Sequence, residues 1–447
     1  MSGEAGSAFE RLLSKVVSVR DGEGRVVALM FAKGFVLLFA YYLIKPVREL
    51  LILTEGSAEL RSYALAFQAL ILIGIIPIYT AVFRRIFPHY YLVALITAFL
   101  ALNLPVFVLC GQAGYSIGLE FFVWLGVFNV LIVAQFWAFA ADLFNVESGQ
   151  RLFVFIALGT SLGAWAGAVV SKALLAALGP YGLMLLTMAL LFCTIPVIPL
   201  ARRAVPDASR APGQPPHLEE IRGFWGGFHL VLADPYLRLI AVFVLLLNCI
   251  NSTGEYVLAR IVKEHAEALL AAGTIEDSGR WIGQFYGDYY SWVNLLSIGV
   301  QLFIVARVFK RVGVGGALLI IPVVSAAVYG LLIFVPVFAL VRLAKMVENS
   351  LNYSLQKTAA NALMLPLDEE AKYAGKTTID TLFWRLGDLL QAGVVWVGFN
   401  WFAATIGQFA LMNLALSLLW LAAAFGIAAR HRQLVAGVPS SPGAVAG

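Results

Sequence analysis

The chain has 447 residues, 61% of them apolar and 13% charged, with a formal net charge of +5 and a mean hydropathy of +0.86. Soluble domains are about 25% charged, so too little polar surface remains here to cover a water-soluble body of this size. That excludes a soluble enzyme, a disordered chain and a nucleic-acid-binding domain, and leaves an integral membrane protein built mostly of spanning segments.

Residues 1–25 form an N-terminal tail that mixes both signs of charge and holds no short apolar stretch with a small-residue cleavage site. This predicts no removable signal peptide. Apolar runs follow at 26–53, 63–83, 89–110, 116–143, 150–178 and 180–200. Residues 201–235 interrupt them as a linker carrying Arg202, Arg203, Arg210 and Arg222 among four prolines. Its part from His217 to Leu232 mixes Glu219 and Glu220 with Phe224, Trp225 and Phe228, which suits a helix lying on the membrane surface. The runs resume at 236–262, 282–308, 312–333, 337–364, 374–402 and 405–428, and residues 429–447 read as a disordered Pro/Ser/Gly/Ala-rich tail. Long continuous runs without ten-residue alternation favour helices over barrel strands.

The basic residues orient these spans. Arg11, Lys15, Arg20 and Arg25 lie in the tail, Arg84 and Arg85 between spans 2 and 3, Lys310 and Arg311 between spans 8 and 9, and Arg430 and Arg432 after span 12. The alternate loops have almost none, so both termini and the linker are predicted to be cytoplasmic. The halves echo each other: Arg84-Arg85 matches Lys310-Arg311, and the break at Asp142 to Arg151 matches that at Asp368 to Lys372. The predicted fold class is an all-α membrane protein of 12 transmembrane helices in two six-helix halves, 26–200 and 236–428, resembling the parallel-repeat plan of the major facilitator superfamily. In a bacterium such a protein is expected in the inner membrane.

Charged groups inside a span are costly and face a cavity or a partner. Span 1 carries Tyr41, Lys45, Arg48 and Glu49 on one helical face, with Pro46 beside them. Span 7 repeats the pattern with Asn248, Asn251, Ser252 and Glu255. Span 10 has Lys345, Asn349, Asn352 and Gln356 in a stripe, with Glu348 and Lys357 at its margin. Span 11 has Thr377, Thr381, Arg385 and Asp388, and span 4 has Gln135 and Asp142. Spans 1, 4, 7 and 10 are those expected to line the cavity in that plan. The candidate substrate-binding residues are therefore Lys45, Arg48, Gln135, Asn251, Glu255, Lys345, Asn349, Asn352, Gln356, Lys357 and Arg385. Glu49, Glu255 and Asp388 are candidate coupling residues or counter-ions. The basic surplus points to a small anionic solute. Near the outer surface, Glu49, Arg61 and Arg342 read equally well as side chains reaching outward.

Cys110, Cys193 and Cys249 are too far apart for a zinc spacing or a disulfide framework, the five histidines form no paired motif, and no GxxxxGK[ST] occurs. No metal or cofactor is expected, and the partners are the solute and membrane lipid, not a nucleic acid polymer. Gly159, Gly163 and Gly167 read as a helix-packing stripe. Tyr286, Tyr289, Tyr290 and Trp292 read as an interfacial belt, with Asp288 left open.

Four segments together resemble the ATP/ADP translocase (nucleotide transporter) family of intracellular bacteria and plastids. They are Tyr41 to Leu50, Gln135 to Phe153, Asn248 to Glu255 with Gly287-Asp288, and Asn352 through Asp368 to Gly387. The resemblance implies that basic and acidic residues within the spans bind nucleotide and support its exchange. By position, Arg48 matches the family's basic residue in span 1, Glu49 its acidic neighbour, and Glu255 the acid of span 7. The chain departs from the family with Gln135 in place of an acid, Ala360 and Asn361 in place of a Lys-Glu pair, and Asn352 in place of a basic residue. The scaffold therefore matches better than the substrate contacts. Three functions stay open: an anion exchanger, a proton- or cation-coupled transporter of another solute, and a non-transporting receptor or lipid-handling protein on this scaffold.

Overall fold

The computed structural model describes residues 20, 22–85, 90–210, 224–335, 337–368 and 371–437. Arg11, Lys15, the stretch from Ala211 to Gly223 and the tail beyond Gly437 lie outside them, and with them the His217 to Gly223 part of the expected surface helix. Among the described residues the chain is helical, with no strand beyond an isolated bridge between Phe144 and Arg210. Among the described residues, eight helices are long and apolar enough to cross a membrane.

In chain order the helices are α1 (Gly24–Glu55), α2 (Ala58–Arg85), α3 (Tyr90–Gln112), α4 (Gly118–Leu143), α5 (Val146–Thr194), α6 (Val197–Ala204), α7 (Phe224–Ala233) and α8 (Pro235–Ala271). Then come α9 (Ser278–Phe303), α10 (Val305–Phe334), α11 (Phe338–Leu351), α12 (Lys357–Ala362), α13 (Lys376–Thr378), α14 (Trp384–Phe402) and α15 (Ile406–Gly437). The expected boundary between spans 5 and 6 is a kink inside α5, where Gly179 takes φ 65° ahead of Pro180. An L side chain rarely adopts that conformation, and the proline supplies no backbone donor, so the helix breaks there. Helix α15 continues to Gly437, past the point where a disordered tail is expected. The cause is local packing, since His431 is buried with its Nδ1 3.0 Å from the Tyr236 hydroxyl.

The chain forms two compact units. The first comprises Met1–Ser57, Ile75–His217 and Ala266–Asn294; the second comprises Ala58–Gly74, Leu218–His265 and Leu295–Gly447. Helices α2, α8 and α9 thus each contribute to both. In the first unit Leu37, Ile44, Phe121, Phe128, Phe136, Ile156 and Leu183 belong to one apolar core. Lipid is as apolar as these side chains, so close packing and not dehydration holds the helices together. The stripe of Gly159, Gly163 and Gly167 makes this possible. A Cβ there would fall 2.8, 2.2 and 2.4 Å from the carbonyl oxygens of Phe31, Phe35 and Phe39 on α1.

Polar ties fix the helix ends of this unit. Asn145 caps α5 by accepting from the Ser148 N–H at 3.0 Å, and its own N–H donates to the Ser209 carbonyl at 2.9 Å. Glu55 Oε2 accepts from the backbone N–H groups of Ile117 (2.7 Å) and Gly118 (2.6 Å) at the start of α4. Glu23, just before α1, is buried and accepts from Arg151 (2.9 and 3.1 Å), Ser209 (2.7 Å) and the Arg20 N–H (2.8 Å). Burial pushes its carboxyl up, but the Arg151 guanidinium and the other donors bring it below its ordinary value.

Candidate functional site

In the first unit the predicted stripe of α1 is a buried cluster. Lys45, Arg48 and Glu49 lie on one face, as their spacing requires, and all three are buried. Arg48 donates through both Nε and Nη2 to Glu49 Oε1, the Nε bond being 3.2 Å, and its guanidinium lies 4.3 Å from the Phe122 ring centroid on α4. Lys45 Nζ stands over three aromatic rings, Tyr290 at 4.0 Å, Tyr42 at 4.7 Å and Tyr41 at 5.7 Å. Tyr290 also donates its hydroxyl to Glu49 at 3.2 Å. Two of the residues expected in an interfacial belt, Tyr286 and Tyr289, are fully buried, and Tyr290 nearly so. That expectation is corrected: α9 packs these rings inside the unit, and Trp292 alone of the four is exposed.

In the second unit the stripes of spans 7 and 10 meet. Lys345 on α11 is 1% exposed and donates to Glu348 (2.8 Å) and to the side chain (3.1 Å) and backbone (3.3 Å) oxygens of Asn251 on α8. Glu255 lies 3.8 Å from Lys345, accepts from Asn349 at 2.7 Å, and pairs with Arg61 of α2 at 3.6 Å. Glu348 in turn accepts from Ser325 (2.9 Å) and Tyr329 (3.2 Å) of α10. Ammonium, guanidinium and carboxylates thus satisfy one another where lipid would supply no hydrogen bonds.

A second buried group joins spans 7 and 11 in the same unit. Asp388 on α14 accepts from Asn248 (2.7 Å) and Ser252 (3.2 Å) on α8 and from Arg385 (3.2 Å). All four come from the predicted stripes.

Other predicted site residues stand apart. Gln135 on α4 and Gln356 are each 1% exposed, and neither amide atom of either has a hydrogen-bond partner among the described residues. Asn352 is buried as well, but Lys357 is exposed. Residues Asn352–Gln356 form a π-helical turn between α11 and α12. The wider turn falls just before Lys357, so the spacing of an ordinary helix does not carry across it. An apolar cavity of about 630 Å³ between α14 and α15, with Leu390, Val394, Phe402, Phe409 and Met412 in its wall, has no charged residue in its lining.

Sequence reasoning missed three contributors. The sequence leaves open whether Arg61 reaches outward; its side chain is 5% exposed and turned to Glu255. Tyr329 and Tyr290 sit in apolar or aromatic runs that carry no mark of a polar partner. Lys33 is a third buried cation of α1, donating to the Thr194 carbonyl at 3.1 Å where α5 ends before Pro196.

No family model matches the chain. Over 312 residues it is 23% identical to ADP,ATP carrier protein 1 of Chlamydia trachomatis serovar D and 24% identical to ADP,ATP carrier protein 1 of Chlamydia muridarum. Each match covers 60% of this chain and 56% of the relative, so the matched region spans just over half the length of those curated relatives. In fold the chain is similar to the nucleoside transporter NupG, with a TM-score of 0.67 over 90% of this chain and 99% of that one, at 12% identity. The resemblance expected from spans 1, 4, 7, 10 and 11 is thus met by sequence relatives that are ADP,ATP carriers and by a structural neighbour that is also a transporter.

Proposed function

We propose that this protein is a secondary transporter, not an enzyme, that moves an anionic solute by alternating access, with nucleotide exchange of the ATP/ADP type as the preferred reading. One observation carries it: buried Lys45 and Arg48 in span 1 and Lys345 in span 10, with Glu49, Glu348 and the Glu255 of span 7 to balance them, lie in a chain similar to ADP,ATP carriers. Guanidinium and ammonium groups in low-dielectric surroundings attract phosphate strongly. In this reading the chain has twelve spans in two six-helix halves on the major facilitator plan, lies in a bacterial inner membrane, and keeps both termini cytoplasmic, as the loop lysines and arginines favour. Lys45, Arg48, Glu255, Lys345 and Asn349 contact the cargo, and Glu49, Glu255 and Asp388 act as counter-ions or coupling groups.

The buried Asp388 favours a second reading, a proton-coupled transporter. Both readings are tested by labelled ATP uptake into proteoliposomes, with and without internal ADP, repeated across an imposed pH gradient. Uptake that requires internal nucleotide supports exchange, and uptake that follows the gradient supports coupling. Absence of uptake under every condition sinks the nucleotide reading.

A further inference from the structure

One side chain touches both arms of the α1 cluster. The Tyr290 ring is the nearest of three to the Lys45 ammonium, at 4.0 Å, and its hydroxyl donates to Glu49 Oε1 at 3.2 Å. That oxygen also accepts from Arg48 Nε at 3.2 Å. A ring face attracts an ammonium through its quadrupole, and a phenol hydroxyl donates a hydrogen bond while staying neutral. Tyr290 therefore orders two cationic side chains and adds no charge of its own. An aspartate or glutamate at the same position would hold Lys45 too, but would add a negative charge to the cluster.

The seat of Tyr290 does not depend on Tyr290 itself. A Cβ at Gly283 would fall 2.4 Å from Leu175 and 2.9 Å from Leu50, and one at Gly287 would fall 3.0 Å from the Lys172 side chain. Asp288 pairs with Lys172 at 2.6 Å. Close backbone approach and this ion pair fix the first half of α9 against α1 and α5, and carry residue 290 to the cluster.

We propose that Tyr290 is a positioning residue for the anionic cargo, holding Lys45 through its ring and Arg48 through Glu49 so that both cations meet the cargo already ordered. The cargo half of this inference rests on the transport reading above; the contact half does not.

The test uses the full chain in lipid nanodiscs and proteoliposomes as wild type, Tyr290→Phe and Tyr290→Leu. In the first arm a small membrane-permeant acylating ester labels lysines, and mass spectrometry compares Lys45 with the exposed Lys357. Tyr290→Phe keeps the ring and should stay within about twofold of wild type, whereas Tyr290→Leu should raise Lys45 labelling about tenfold. In the second arm ATP uptake is measured. Tyr290→Phe should raise KM about fivefold with little change in Vmax, and Tyr290→Leu should raise it further. Unchanged Lys45 labelling in Tyr290→Leu overturns the proposal whatever the protein carries. So does wild-type ATP uptake that keeps its KM in both variants. Wild-type protein that takes up no ATP counts against the transport reading instead, and the labelling arm still decides the contact.

Discussion

Lys345 is shared between Glu348 and Asn251, with Glu255 close by, and no water is needed to complete its hydrogen bonds. Removing one partner of such a buried pair leaves an uncompensated charge, which costs about 3–5 kcal/mol. Lys345→Met should therefore lower the thermal midpoint in detergent by roughly 6–20 °C, at about 2–4 °C per kcal/mol. Adding Glu348→Gln should recover part of that loss. A single variant as stable as wild type would mean that the network is not balanced around Lys345. Arg48 makes a different case because it is proposed to meet the cargo. Arg48→Ala leaves Glu49 without its guanidinium, so detergent-extracted yield should fall, and adding Glu49→Gln should restore yield while ATP uptake stays abolished; full uptake in either variant would remove Arg48 from the site. Much of this was legible in the sequence. Spacing of three and four residues put Lys45, Arg48 and Glu49 on one face, and likewise Asn251 with Glu255 and Lys345 with Asn349. Periodicity reports which face of one helix is polar, but not which neighbour covers it. That is why the partners of Arg61 and Tyr290 were not legible. The π-helical turn escaped for another reason: nothing in Asn352–Gln356 distinguishes a wider turn from an ordinary one.

At the scale of helices, the division into spans followed from apolar runs and from Gly and Pro at their breaks, and the α5 kink at Gly179-Pro180 falls where those residues require. The glycine stripe was legible too, although its partner was not. Phe35 and Phe39 present backbone to the stripe, and Phe31 both its carbonyl and its ring, and no sequence pattern announces that. Gly163→Leu places a branched side chain where even a Cβ lies 2.2 Å from the Phe35 carbonyl oxygen. Overpacking of this kind costs about 1–3 kcal/mol or more, because backbone must move. The variant should lose monodisperse protein on size-exclusion chromatography, while Gly179→Ala, a change at a kink with open space around it, should lose less. Equal losses would show that conformation at Gly179 matters as much as contact at Gly163. Asn145 joins two elements through one side chain. Asn145→Ala removes the α5 cap and the 2.9 Å bond to the Ala208 carbonyl, at a cost of about 1 kcal/mol for the cap alone.

Across the whole molecule, several chain segments of the first unit are gathered on one carboxylate. Glu23 ties the entry to α1, the first turn of α5 and the linker at Ser209. Its pKa in the folded protein lies below the ordinary value of 4.5, so the folded state favours the ionised form. That stabilisation is complete above about pH 4.5 and is lost as pH falls through the lower folded value. Thermal midpoints of wild type and Glu23→Gln should therefore differ most near neutrality and converge on acidification; a gap independent of pH would exclude Glu23 as its source. The composition that places the chain in lipid says nothing of such ties, because they depend on residues far apart in sequence.

The segment Ala266–Asn294 has a consequence for how the protein is made. It belongs to the first unit, yet it is synthesised after the linker and much of the second unit. The ribosome therefore releases residues 1–217 well before Gly283 of α9, which packs against Leu50 and Leu175. Maturation cannot proceed half by half: the early helices must wait in the bilayer for a late strip of chain. A fragment ending at residue 217 should be degraded when expressed alone and should survive when residues 218–447 are supplied beside it as a separate polypeptide, a result that pulse-chase labelling would read directly.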